Sequence, residues 1–125
     1  MKNTEKLIEA FGELIYVVAM ADGAIQKQEL RVIETKLASH KWGADIKWSF
    51  DYEVKKNASV EELYKKVISY CEMHGPDPEY QFLLEVIDEV AKANKGVEAE
   101  EKEVMDSFVL DLTEKFRSDI GRING

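Results

Sequence analysis

Four oxygen-bearing side chains recur at matching points of the sequence: Asp22 and Glu29 in one half, Asn94 and Glu101 in the other. Carboxylate and amide oxygens are hard donors, and hard cations such as Ca²⁺ and Mg²⁺ are what they hold. The stretch AMADGAIQKQE, residues 19–29, halts an apolar run at Asp22-Gly23 and brings Glu29 six residues after the glycine. The chemistry it offers is cation ligation; the competing explanation is a turn between two helices.

Aligning Gly23 with the glycine of a twelve-residue calcium loop puts Asp22 just before it, Ile25 at the apolar position and Glu29 at the closing bidentate position. The first two ligand positions then fall on Val18 and Met20, which carry no side-chain oxygen. One such loop cannot supply the six to eight oxygens that Ca²⁺ takes. Two loops brought together would offer Asp22, Glu29, Asn94 and Glu101 plus water, a weak oxygen-lined site for Ca²⁺ or Mg²⁺. The second half is the poorer one, since Asn94 brings no charge and Gly96 stands one position later than its counterpart. The structural explanation needs no cation. Asp-Gly is a turn signal, and an acid in a helix's first turn is favoured by the free N–H groups and the dipole.

The matching is part of a longer self-similarity at an offset of 72. VAMADGAIQKQELRV and VAKANKGVEAEEKEV share five identities, with Val18, Ala19 and Ala21 falling on Val90, Ala91 and Ala93. Each copy breaks a helical pattern at the same place. Two related helix–turn–helix units, each with an apolar stripe it cannot bury alone, are expected to pack together.

The elements that would position these residues are helices. Leu7, Ile8, Phe11, Leu14, Ile15 and Val18 follow helical spacing over residues 4–21, with Glu5, Glu9 and Glu13 off that stripe. A second helix is expected over 26–40, with Gly43 breaking the chain after it. In 42–57, Ile46, Trp48, Phe50, Tyr52 and Val54 alternate as in a strand, while Ile46, Phe50 and Val54 also fit a helical stripe. A strand without a partner is not stable alone, so a short helix is expected. Ser59 and Glu62 form a capping box for the next helix, which ends at Gly75-Pro76. Asp77 and Pro78 then open a helix running to about 94. The last helix spans about 98 to 117, with Val104, Phe108, Leu112 and Phe116 as its stripe and Gly121 at the end of the order. The fold class is therefore all-α: a single-domain helical bundle of five to seven helices over residues 1–125, built on two related helix–turn–helix units.

Composition narrows the partners. The net charge is −8, from 17 Lys and Arg against 25 Asp and Glu. Phosphate-rich partners need a basic face, so neither nucleic acid nor an anionic membrane is expected. One cysteine, Cys71, excludes an internal disulfide. The acids among the first apolar residues exclude a signal peptide, and a cytoplasmic location is the expectation. Cys71 and His74 lie three apart on one helix, but zinc needs at least three protein ligands and no third stands nearby. Cys71 is expected to pack and His74 to favour a helix C-terminus. Trp42, Trp48, Phe50 and Tyr52 are expected to pack over one end of the bundle, the sharper alternative being a partner groove.

VVAMADGAIQKQELRVIETKL, with its diverged echo EVAKANKGVEAEEKEVMDSFVLDL, resembles the TerB-like domain of tellurite-resistance proteins, which also occurs in DjlA-type membrane co-chaperones. The shared pattern is an apolar helix ending in Ala-x-x-Asp-Gly, an apolar residue two positions on, then Glu. The resemblance covers both hairpins, about half of the chain. It implies an all-α bundle with an acidic surface, a proposed metal-binding role, and work in stress response or protein assembly without established catalysis. Asp22, Glu29 and Glu101 match the family's acids, and Asn94 departs from them. Neither an anchor nor a J-domain is legible, so the domain by itself is expected. The expectation for function is a non-enzymatic domain that binds a partner protein and weakly holds a divalent cation, with no other cofactor. The alternatives are a metal-dependent hydrolase using Asp22, Glu29 and Glu101, and a protein-binding scaffold that takes no metal.

Overall fold

Helix α1, Thr4–Ala19, carries an apolar side chain at nearly every position of its second half. A helix apolar all round has to be buried all round, and every residue from Ala10 to Ala19 except Gly12 is a named part of the core or a buried acid. The other helices wrap it. In the computed structural model, which describes residues 4–20, 25–95 and 103–124, with side chains at 5–20, 25–93 and 114–124, they are α2 (Lys27–Ala38), α3 (Gly43–Lys56), α4 (Val60–His74), α5 (Tyr80–Lys95) and α6 (Glu103–Asn124). Helices α3, α4, α5 and α6 all pack on α1, and α2 packs on α3 and α5. The architecture is the expected all-α bundle, with six helices among the described residues. None of them is long and apolar enough to cross a membrane.

Local chemistry sets several of the helix ends. Gln26 precedes α2, and its N–H donates to the Glu29 carboxylate at 2.7 Å. Ser59 caps α4, its hydroxyl accepting from the Glu62 N–H. Asp77 accepts from the Glu79 N–H at 2.8 Å, forming a turn through Pro78 that delivers the chain into α5 at Tyr80. Asn57 ends α3 in the left-handed conformation with φ 53°, a common helix C-terminus for asparagine.

Three expectations are corrected. The segment 42–57 is helical, as expected, but α3 is fourteen residues long and its inward face is Ile46, Ser49, Phe50 and Glu53. Val54 points to solvent, because the close approach of Ser49 to α1 sets the rotation of the helix. Gly43 does not merely break the chain: it is the first residue of α3. A Cβ there would lie 1.7 Å from the Leu37 carbonyl oxygen, so the α2–α3 corner has room only for glycine. Gly121 does not end the order. Helix α6 continues to Asn124 because Ile120 is buried, Arg122 reaches Glu72 and Asp119, and the Asn124 side chain accepts from the Asp77 N–H. Among the residues called for the α6 stripe, Phe116 is buried, while the side chains of Val104, Phe108 and Leu112 lie outside the described ones.

The α1–α3 crossing is also a close one, at Gly12. A Cβ on Gly12 would fall 2.5 Å from the Ser49 Cβ and 2.7 Å from the Ile46 carbonyl oxygen. Ser49 uses the approach to donate its hydroxyl to the Glu9 carbonyl at 3.0 Å. Gly12→Ala therefore sets an overpacking cost of about 1–3 kcal/mol against a helix-propensity gain of up to about 1 kcal/mol. The obstructing atoms include backbone, so the expected outcome is a net loss of about 1–2 kcal/mol in urea unfolding. A stabilised variant would show that α3 can move off α1 at no cost.

Candidate functional site

Of the four residues expected to hold a cation, the structure places one in full. Glu29 is wholly buried at the third position of α2, where its carboxylate closes the helix start by accepting from the Gln26 N–H. Asp22 and Glu101 lie outside the described residues. Asn94 lies in the last turn of α5, and its side chain is outside the described ones. What is visible of the set is a buried capping carboxylate, which is chemistry the turn itself requires. Glu29→Ala is expected to cost about 1–3 kcal/mol, the range for a lost buried hydrogen bond to a charged group, in thermal unfolding with chelator present. A purely capping role leaves the same loss at about 10 mM Ca²⁺ or Mg²⁺. A ligand role makes the wild type gain stability with the cation and the variant gain none.

Glu13 was expected off the apolar stripe, and the structure corrects this: it is 3% exposed in the middle of α1. Because α1 is enclosed from Ala10 onward, Glu13 meets other helices rather than water, while Glu5 and Glu9 on its first turns remain exposed. The Lys66 ammonium on α4 donates to Glu13 at 2.7 Å while its own side chain remains mostly in solvent. Glu53 on α3 is also 3% exposed. Its Oε1 is buried without a hydrogen-bond donor among the described residues, and the Lys56 ammonium stands 3.9 Å away. Beside them the Tyr16 hydroxyl donates to the Ala58 carbonyl at 2.8 Å. Burial pushes the Glu13 carboxyl above its ordinary value, the Lys66 hydrogen bond and charge pull it back, and Glu53 and Glu9 add to the rise. The hydrogen bond to Glu13 raises Lys66 in turn, against its own desolvation.

A carboxyl raised in the fold stabilises it fully below its unfolded value of 4.5 and loses that contribution as pH rises through the folded value. Glu13→Gln removes the titration. Urea unfolding from about pH 4 to about pH 8 should therefore show the wild type losing ground steadily against Glu13→Gln. Parallel curves would mean that Lys66 cancels the burial completely.

Both histidines of the chain grip the connection between α4 and α5. His74 Nε2 donates to Asp77 at 2.8 Å, and its Nδ1 faces the Tyr70 hydroxyl at 3.3 Å. His40 Nδ1 accepts from the Trp42 N–H, which leaves the Nε2–H to donate to Glu79 at 2.9 Å. Both nitrogens of each ring are engaged. Cys71 is buried, and desolvation pushes its thiol up to about 11, so the nucleophilic thiolate is disfavoured. These are packing and hydrogen-bonding roles, in keeping with the expectation for Cys71. Among the described residues, no three of His, Cys, Asp and Glu come together in a metal-binding group.

The feature that packing does not use is on the outer face of α3. The aromatic cluster of the sequence divides there: Phe50 is buried and Trp42 is half-buried against Phe11. Trp48 is 66% exposed and Tyr52 48% exposed. One helical turn apart, their rings stack at 5.7 Å and 9°, and the Lys56 ammonium lies over the Tyr52 ring at 5.2 Å. Beside Trp48 a groove of about 290 Å³ separates α3 from α1. Helix periodicity groups Trp48 with Tyr52 at i and i+4 in the sequence, but that spacing is equally that of a buried pair. A larger cleft of about 730 Å³ runs between α4 and α6. Several of its polar groups answer one another: Tyr64 donates to Asp119, Arg122 pairs with Asp119, and Lys115 covers the Tyr64 ring.

Comparison of the chain with protein-family models, with curated proteins and with solved structures finds no match.

Proposed function

We propose that this chain is a non-enzymatic interaction domain that binds a partner protein through the α1–α3 face. The observation that carries the reading is the solvent-exposed Trp48–Tyr52 stack. Tryptophan and tyrosine are over-represented among the residues that dominate binding energy at protein interfaces, and an exposed apolar patch beside a groove is costly to keep without use. The described polar clusters at Glu13 and the two histidines are engaged in holding helices together, which favours a scaffold over a catalyst. The TerB-like character, and the stress-response role that goes with it, rest on the paired loop motif in residues 17–37 and 89–112.

Removing exposed rings leaves most of the core intact, so Trp48→Ala with Tyr52→Ala is expected to shift stability by no more than about 0.5 kcal/mol per site. Immobilised wild type should retain proteins from a host lysate that this double variant, folded and with an unchanged unfolding midpoint, does not retain. Identical retention by both would remove the α3 face from the function.

A further inference from the structure

The groove beside Trp48 is lined by Glu5, Ile8 and Glu9 from α1 and by Asp45, Trp48 and Ser49 from α3. Three of the six carry carboxylates and none carries a cation. No lysine or arginine among the described residues stands within ion-pair distance of Glu5, Glu9 or Asp45. The nearby cations of α3 are spent elsewhere. Lys47 donates to both oxygens of Asp51 at 3.0 Å, and Lys56 lies over Tyr52. The groove therefore presents carboxylates that no described lysine or arginine pairs, with Lys66 acting on Glu9 only at longer range, beside the negative face of an indole, on a chain of net charge −8.

Resting on the interaction-domain reading above, we propose that the partner presents a lysine- or arginine-bearing segment, with one cationic side chain entering the groove against Trp48. An indole face attracts ammonium and guanidinium groups, and carboxylates around it supply the charge-assisted hydrogen bonds that such a group needs. The apolar stem of the side chain lies along Ile8 and the ring. Within the same stack, Lys56 over Tyr52 is an internal instance of the contact. The volume, about 290 Å³, falls just below the range of small-molecule pockets of about 300–1,000 Å³, and suits a single long side chain of a bound segment. An acidic or phosphorylated segment would meet three carboxylates and be repelled. The net negative field adds steering, which weakens as salt rises.

The test is fluorescence anisotropy with three labelled peptides of one length: one rich in Lys and Arg, and its Gln- and Glu-substituted counterparts. They are titrated with the full chain, with Trp48→Ala, and with the triple variant Glu5→Gln, Glu9→Gln, Asp45→Asn. Unfolding midpoints establish that the variants are folded. The expected result is binding of the basic peptide alone, weakened at least about tenfold in each variant, with a shallower salt dependence in the triple variant. Equal binding of the basic peptide by wild type and both variants would overturn the proposal. So would a Gln or Glu peptide that binds through Trp48, which would leave the interaction-domain reading standing with a different partner. If no peptide binds at up to about 1 mM, the basic partner is overturned, and Trp48-dependent capture from lysate separately decides the parent reading.

Discussion

Helix α1 has no face left for water from Ala10 onward, and the rest of the bundle follows from that burial. A helix apolar on all sides needs neighbours on all sides, and four helices supply them. Close packing around a central rod demands small residues where a neighbour comes nearest. Gly12 meets that demand against Ser49, and the Ser49–Glu9 hydrogen bond fixes the height of α3 on α1. The same contact decides which way α3 is turned. With Ile46, Ser49, Phe50 and Glu53 inward, Trp48 and Tyr52 have to face out.

Central burial also explains why the charged residues inside are arranged as they are. Glu13 cannot reach water from α1, so Lys66 reaches in from α4 with its stem at the surface and its ammonium on the carboxylate. Taking a carboxylate out of water costs more than a single surface-facing partner returns, which is why the carboxyl stays raised despite the pair. The histidines act at the opposite level of the hierarchy. They do not fill the core; they clamp a short connection, and through Asp77 that connection also receives the last turn of α6. One turn thus joins α4, α5, α6 and the segment that follows α2 by side-chain hydrogen bonds.

The candidate interface is a by-product of these constraints. A helix that lies flat on α1 at a small-residue crossing leaves a narrow groove beside the contact, and what lines it is whatever the two helices carry at its rim. Here the rim is acidic on both sides and ends in an indole. The chemistry of the face is therefore fixed jointly by Glu5 and Glu9 on one helix and by Asp45 and Trp48 on another, with about forty positions of chain between them.

Much of the architecture was legible from local signals. Helical periodicity identified the six described helices, including α3, and Ser59 and the first turn around Glu29 gave starts that hold, whereas the start expected at Asp77 and Pro78 is a turn and α5 begins only at Tyr80. These features depend on residues within a turn or two of one another, so spacing and capping chemistry suffice. Tertiary structure alone decided that Glu13 is inside, that Glu53 rather than Val54 faces the core, and that Trp48 parts company with Phe50 and Trp42. It also decided that helix α6 runs past Gly121. An acid beside an apolar stripe looks the same in a sequence whether its neighbour is water or another helix. Only the packing of distant segments says which, because burial is a property of the pair of surfaces and not of either one.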